Sequence, residues 1–219
     1  RKPSGMPPVC DIFVQLPPPV AGDNTSDADR LTRELEKRFP VQNIRLSLEM
    51  IRILNQTVRP SNWSITLRAI VDDDGIEIVD IQPGDTTPDV RYGIAIDVGT
   101  TTVCGRLVEI ADDGSTLINE YADYNAQISY GEDVISRIMY ARKPEGLNRL
   151  HNAAVRTINS VIDGLVIQAG WRKDFVSHVV FSGNTTMMHL LFEIDPTSIM
   201  RAPYVPAATS FPPINTKEI

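Results

Sequence analysis

The spacing of apolar residues changes period along the chain. Residues 11–16 form a short β-like run that Pro17, Pro18 and Pro19 stop. Ser26 and Asp29 stand in capping-box spacing ahead of Leu31, Leu35 and Phe39, which recur every four residues and predict a helix ended by Pro40. Ser47 is placed to cap a second helix with Met50, Ile51, Leu54 and Val58 inward and Pro60 as its stop. From Trp63 the period is two. Trp63, Ile65, Leu67 and Ala69 alternate with Ser64, Thr66 and Arg68, and Asp73-Asp74-Gly75 turns the chain into a second strand over residues 76–81.

After a connector over residues 86–91, Ile94, Ala95, Ile96 and Val98 read as a strand buried on both faces. Strands follow over residues 103–110 and 116–125, with Asp112-Asp113-Gly114 as a solvated turn between them. A helix then starts near Gly131 with Val134, Ile135 and Ile138 inward. The next, over residues 147–169, carries Leu150, Ala154, Ile158, Val161 and Leu165 on one stripe. Residues 176–181 are the next buried strand, residues 185–192 a short helix, and the proline-rich residues 203–213 are irregular. The order β-β-β-α-α-β-α is that of an α/β, ribonuclease-H-like lobe over residues 92–219. It is preceded by a linker over residues 1–9 and a small α+β domain over residues 10–85 with two helices and at least three strands.

Composition narrows the functional classes. At 219 residues, 42% hydrophobic and 22% charged, the chain is globular and long enough for two small domains. A net charge of −7 with an isoelectric point near 5.0 argues against a nucleic-acid partner. No apolar run is long enough to span a bilayer, and the start lacks a signal-peptide pattern. Cys10 and Cys104 are two widely separated thiols that suit a reducing cytoplasm. The sequons at Asn24, Asn55, Asn62 and Asn184 are then chance matches. The carboxylates at residues 72–74 read as a solvated turn, and His151 as a half-buried core neighbour with no second ligand at helical spacing. Because the chain opens on Arg1 and closes on Lys217-Glu218-Ile219 with no closing element, the lobe is expected to be incomplete and the chain a fragment.

The candidate chemistry lies at residues 97–102. Asp97 ends an apolar strand where packing has no use for a carboxylate. Gly99 permits a tight turn with close approach to main-chain N–H groups, and Thr100, Thr101 and Thr102 add hydroxyl donors. The pattern predicts a β-hairpin phosphate cradle in which Asp97 holds Mg²⁺ through water. It is neither a P-loop nor a dinucleotide-binding turn. A second candidate, Ser182-Gly183-Asn184-Thr185, falls between a strand and a helix, where ligands bind in open α/β sheets. Read locally, Asn184 or Thr185 is either a helix cap or a ligand contact.

Residues 97–102 resemble the first phosphate motif of the fold class that includes acetate and sugar kinases, hexokinase, actin and the seventy-kilodalton heat-shock chaperones. Leu16-Pro17-Pro18-Pro19 with Asp23 and Asn24, residues 125–138 (NAQISYGEDVISRI) and residues 182–190 (SGNTTMMHL) narrow this. Together they resemble the ATP-dependent reductive activators of corrinoid proteins, with Ala126 standing where that pattern has proline. The resemblance implies an actin-like ATPase lobe that uses ATP and Mg²⁺ to drive reduction of a Co(II) corrinoid protein to Co(I). It also implies that Gly183, Asn184 and Thr185 face the nucleotide. Electrons would come from a 2Fe-2S centre in an N-terminal domain; two cysteines fall short of the four such a centre takes, so that domain is expected outside this chain. The second nucleotide-binding lobe, with the adenosine-binding residues, is also expected outside it. The small domain is expected to dock or to form a homodimer. A small-molecule kinase and an actin-like assembly protein remain the alternatives. Asn125, Gln127 and His189 carry no assigned role.

Overall fold

The computed structural model describes residues 9–39, 43–88, 90–111, 114–170 and 176–214. Residues 1–8 of the linker expected over 1–9, Pro40 as helix stop, the Asp112-Asp113 turn, position 89 of the connector and the chain end at 217–219 lie outside the described residues, and Val9 belongs to the first strand. The chain divides into two compact units, Arg1–Asp89 and Val90–Ile219. No helix among the described residues is long and apolar enough to cross a membrane.

In the first unit, β1 (Val9–Gln15), α1 (Asp27–Arg38), β2 (Ile44–Leu46), α2 (Leu48–Thr57), β3 (Ser64–Asp72) and β4 (Gly75–Pro83) form a four-stranded sheet with two helices. The sheet order is β1-β3-β4-β2; β3 pairs antiparallel with β1 and β4, and β2 runs parallel to β4. Ser26 caps α1 and Ser47 caps α2, each hydroxyl accepting a main-chain N–H three residues on. Leu31 and Leu35 on α1 and Leu54 and Val58 on α2 are buried with Ile65 and Leu67 of β3. Ile51, expected inward, is exposed: Met50, Leu54 and Val58 define the buried stripe, and Ile51 lies off it. Trp63 is buried but precedes β3, with a left-handed backbone. β2 has three residues, too few for any alternation to show in sequence.

The Pro17–Asn24 segment is held down by one side chain. Arg30, buried on α1, donates to the Asp23 carboxylate and to the carbonyls of Pro17 (3.4 Å) and Thr25 (3.3 Å). Its guanidinium and that of Arg59 lie 5.9 and 5.4 Å from the Trp63 ring.

The second unit opens with the antiparallel meander β5 (Arg91–Val98), β6 (Thr102–Ala111) and β7 (Gly114–Tyr124). A 3-10 turn (Ala126–Tyr130), α3 (Val134–Ala141) and α4 (Gly146–Ala169) return the chain to β8 (Val176–Gly183), which adds parallel to β5. α5 (Thr185–Leu191) follows. The order β7-β6-β5-β8 is that of a ribonuclease-H-like lobe. α4 lies hard against the sheet: a Cβ on Gly105 would sit 2.5 Å from Val161, and one on Gly164 would meet the Tyr121 ring at 2.7 Å. Ile94, Ile96 and Val98 pack with α4 and α5. Ala95, expected in a strand buried on both faces, and Val180, expected in a buried strand, are exposed, because the helices packed with Ile94, Ile96 and Val98 cover the opposite face. On α3, Ile135 is exposed and Arg137 takes the buried position beside Ile138. The apolar period favours the isoleucine over the charged residue, and the fold reverses the choice.

The Arg30–Asp23 contact gives the first unit a pH signature. Hydrogen bonding from Arg30, then from the Thr25 main chain, holds the Asp23 carboxyl well below the usual carboxylate range, at about 2. A depressed folded-state pKa stabilises the fold above the unfolded-state value of about 4, and that contribution is lost as pH falls through the folded value. Asp23→Asn should therefore melt below wild type near neutrality. The gap should close between about pH 4 and pH 2 in thermal melts followed by circular dichroism; a gap independent of pH would remove the charge from the explanation.

Candidate functional site

Two strand ends build the site. In the parallel register Asp97 pairs with Ser182 and Val98 with Gly183, while on the other side of β5 Asp97 pairs with Cys104 and Val98 with Val103. The motifs at residues 97–102 and 182–185 therefore leave the sheet at one level, side by side. The Ser182 hydroxyl lies 3.4 Å from Asp97 Oδ1, and Asp97 itself is exposed. Asn184 Nδ2 donates to Thr100 Oγ1 at 3.1 Å and joins the two loops directly.

Each turn is tight enough to require its glycine. A Cβ on Gly99 would lie 2.4 Å from the Thr102 carbonyl oxygen, and one on Gly183 would lie 2.9 Å from the Val98 carbonyl oxygen. Thr101 and Thr102 are exposed, and Thr100 is half-buried. Asn184 is the N-cap of α5, its Oδ1 accepting the Met187 N–H at 2.9 Å, so both ends of its side chain are engaged. Thr185 is exposed at the first position of that helix. Of the two local readings of this stretch the cap is the one observed, at Asn184, and capping fixes the direction in which it reaches Thr100.

Behind the first turn lies a polar layer that local sequence reading does not resolve. Asn125 is fully buried; its Nδ2 donates to the Gly99 carbonyl at 2.8 Å and its main-chain N–H to the Thr101 carbonyl at 2.8 Å. Its Oδ1 accepts the Gln127 N–H and caps the 3-10 turn. Gln127, equally buried, donates to Leu150 O on α4 at 2.9 Å and accepts from Arg137 Nη1 at 3.2 Å. Arg137 donates through Nε to Gly131 O at 2.9 Å and lies 3.3 Å from the Met187 sulfur on α5. Burial pushes its guanidinium pKa down, and its Nη2 has no hydrogen-bond partner. The signal available beforehand was the polar Asn-x-Gln pair between a strand and an apolar helix, where exposed loop residues are the simpler expectation.

His189 belongs to the fold. Fully buried on α5, it accepts the Ala207 N–H at Nε2 (3.2 Å), which leaves Nδ1 to donate to Thr185 O at 2.7 Å. Phe211 stands edge-on to its ring, 6.0 Å away. His151 is likewise engaged, its Nδ1 2.7 Å from Leu191 O. No group of three or more His, Cys, Asp or Glu side chains poised for a metal occurs among the described residues.

A family model described as the RACo middle region matches residues 92–219, and one described as the RACo linker region matches residues 4–88. The chain belongs to the RACo family. It is 36% identical over 132 residues to the corrinoid activation enzyme RamQ of Eubacterium limosum, covering 60% of this chain and 22% of RamQ. The solved structure of a reductive activator for corrinoid, iron-sulfur protein superposes with a TM-score of 0.86 at 34% identity. That match covers 97% of this chain and 33% of the activator. This RACo chain therefore spans about a fifth of the one relative and a third of the other.

Gly99→Ala tests the turn without reference to any ligand. The added methyl must displace the Thr102 carbonyl, a main-chain atom with little freedom, so the variant should lose about 1–3 kcal/mol in urea denaturation with the slope unchanged. Wild-type stability would show that the turn opens freely.

Proposed function

We propose that this chain forms one wall of the nucleotide site of an ATP-dependent reductive activator. In this reading ATP binding and hydrolysis drive reduction of the corrinoid of a partner protein from Co(II) to Co(I). The observation that carries it is the junction of the two motifs, Asn184 on Thr100 beside an exposed Asp97, in a member of the RACo family.

The residues fit magnesium and a polyphosphate. Asp97 is a lone exposed carboxylate at the mouth of the turn, with hydroxyl and main-chain donors around it and no second carboxylate pairing with it in the sheet. Such a set suits a hard cation that keeps most of its own waters, and not one that demands an all-protein cage. Bound there, Mg²⁺ would neutralise phosphate charge, which is the main demand of phosphoryl transfer. Asp97 would hold the hydrated metal, the donors of residues 99–102 would hold phosphate oxygens, and Gly183 would let the second loop approach without a side chain. Thr185, at the exposed start of α5, adds a hydroxyl and a main-chain N–H on the other side.

Adenosine contacts and closure of the cleft would come from a second lobe, and electrons from a 2Fe-2S centre, both carried outside this chain. The same reading places the protein in the cytoplasm with a corrinoid protein as its partner. It gives the first unit, whose described residues form no catalytic constellation, a docking or homodimerising role.

In the full-length protein, Asp97→Asn should abolish ATP-dependent activation and phosphate release while leaving the circular dichroism spectrum unchanged. Thr100→Val should lose less, because one donor among several costs about 1–3 kcal/mol when its partner is left unpaired. Steady-state phosphate release orders the two variants, and an Asp97→Asn protein as active as wild type would falsify the assignment.

A further inference from the structure

We infer that Asn125 is a positioning residue that aims the main-chain donors of the phosphate turn, and that Gln127 of the 3-10 turn and Arg137 of α3 hold it in place by contacts to α4 and α5. The inference rests on the reading of residues 97–102 as a phosphate cradle.

A trans peptide points its C=O and the following N–H in opposite directions. Asn125 takes both the Gly99 and the Thr101 carbonyls, one with its side chain and one with its main-chain N–H. The N–H groups of Thr100 and Thr102 are thereby turned away from the buried asparagine, toward the exposed side of the turn. A main-chain anion site needs this: carbonyl oxygens withdrawn and N–H groups presented together. Left unpinned, the same peptides could rotate and offer oxygen to the ligand. The turn cannot be stiffened by bulk, since a side chain at Gly99 would strike the Thr102 carbonyl.

The asparagine is itself immobilised. Gln127 reaches Leu150 on α4 and receives Arg137, which is anchored on Gly131 and set against Met187 of α5, the residue whose N–H Asn184 caps. The network therefore touches both loops of the site from behind. No salt bridge of 4.0 Å or less to Arg137 occurs among the described residues; the Asp133 carboxylate acts on it only through space, and burial outweighs that help, so the guanidinium serves packing poorly. Its donors go instead to groups that fix the turn after Asn125.

Asn125→Asp is the test. Aspartate keeps the oxygen that caps Gln127 but presents a second oxygen, not an N–H, to the Gly99 carbonyl. In the full-length protein, calorimetric affinity for MgATP should fall at least about tenfold, the scale of one buried hydrogen bond left unmade, while affinity for adenosine stays within about twofold. Should the aspartate variant fail to fold, Asn125→Ser, which retains a capping oxygen but falls short of Gly99, should show the same selective loss. Arg137→Met should remain folded and show a smaller loss of the same kind. Equal losses for MgATP and adenosine, or none, would overturn the positioning role while leaving the cradle standing. Wild-type protein that binds MgATP no better than adenosine would overturn the cradle, and the positioning role with it.

Discussion

The second unit depends on the parallel register between β5 and β8. Strands joined by a hairpin can end together by local geometry, but parallel neighbours need a crossover long enough to return the chain to the starting edge. Here α3 and α4 supply it. Their packing decides that Ser182 comes to lie opposite Asp97 and Gly183 opposite Val98. A slip of one residue would send Asp97 and Ser182 to opposite faces of the sheet and separate the loops. The Asn184–Thr100 contact is a product of that register.

Elements with a strong period or a strong terminator were legible in sequence. Ser26 and Ser47 cap where their spacing places them, and the α4 stripe is buried as its period requires. The ribonuclease-H-like order followed from element succession, and the tight turn of the candidate site from Asp97-x-Gly99, both local signals. Less legible was anything decided by which face of an element finds a partner. Ala95 and Val180 look like core residues because their neighbours are apolar, yet exposure depends on where the helices lie. Ile135 and Arg137 exchanged places for a related reason. Period counting ranks residues by transfer free energy, whereas a buried arginine is stabilised by particular carbonyls that only the folded chain brings to it. Asn125 and Gln127 were legible as a pattern but not as a function, because their partners, Gly99 and Leu150, are 26 and 23 residues away.

The two units handle buried charge differently. In the first, Arg30 has an acidic partner in Asp23 and two carbonyls, so the cation is matched where it lies. In the second, Arg137 bonds to a carbonyl, an amide oxygen and a sulfur, all neutral, and the Asp133 carboxylate acts on it through space without offsetting its burial. A matched pair mainly holds a loop to a helix. A cation bonded only to neutral acceptors makes its neighbours interdependent, since losing any one of them leaves a buried donor unpaired.

A glycine on each side of the contact between α4 and the sheet gives this interdependence a mechanical side. At Gly105 the sheet backbone takes the Val161 and Leu165 side chains of the helix, and at Gly164 the helix backbone takes the Tyr121 ring of the sheet, so one layer of side chains against bare backbone sets the helix height. Leu150 and Thr157, on the same helix, hold Gln127 and Ala126. The helix thus acts as a gauge block between the sheet and the loop after β7. A substitution that raised it by an ångström, far from any carboxylate or threonine, would be registered at the Gly99 carbonyl through two side-chain amides, and sites so remote would figure among the positions where this lobe tolerates least variation.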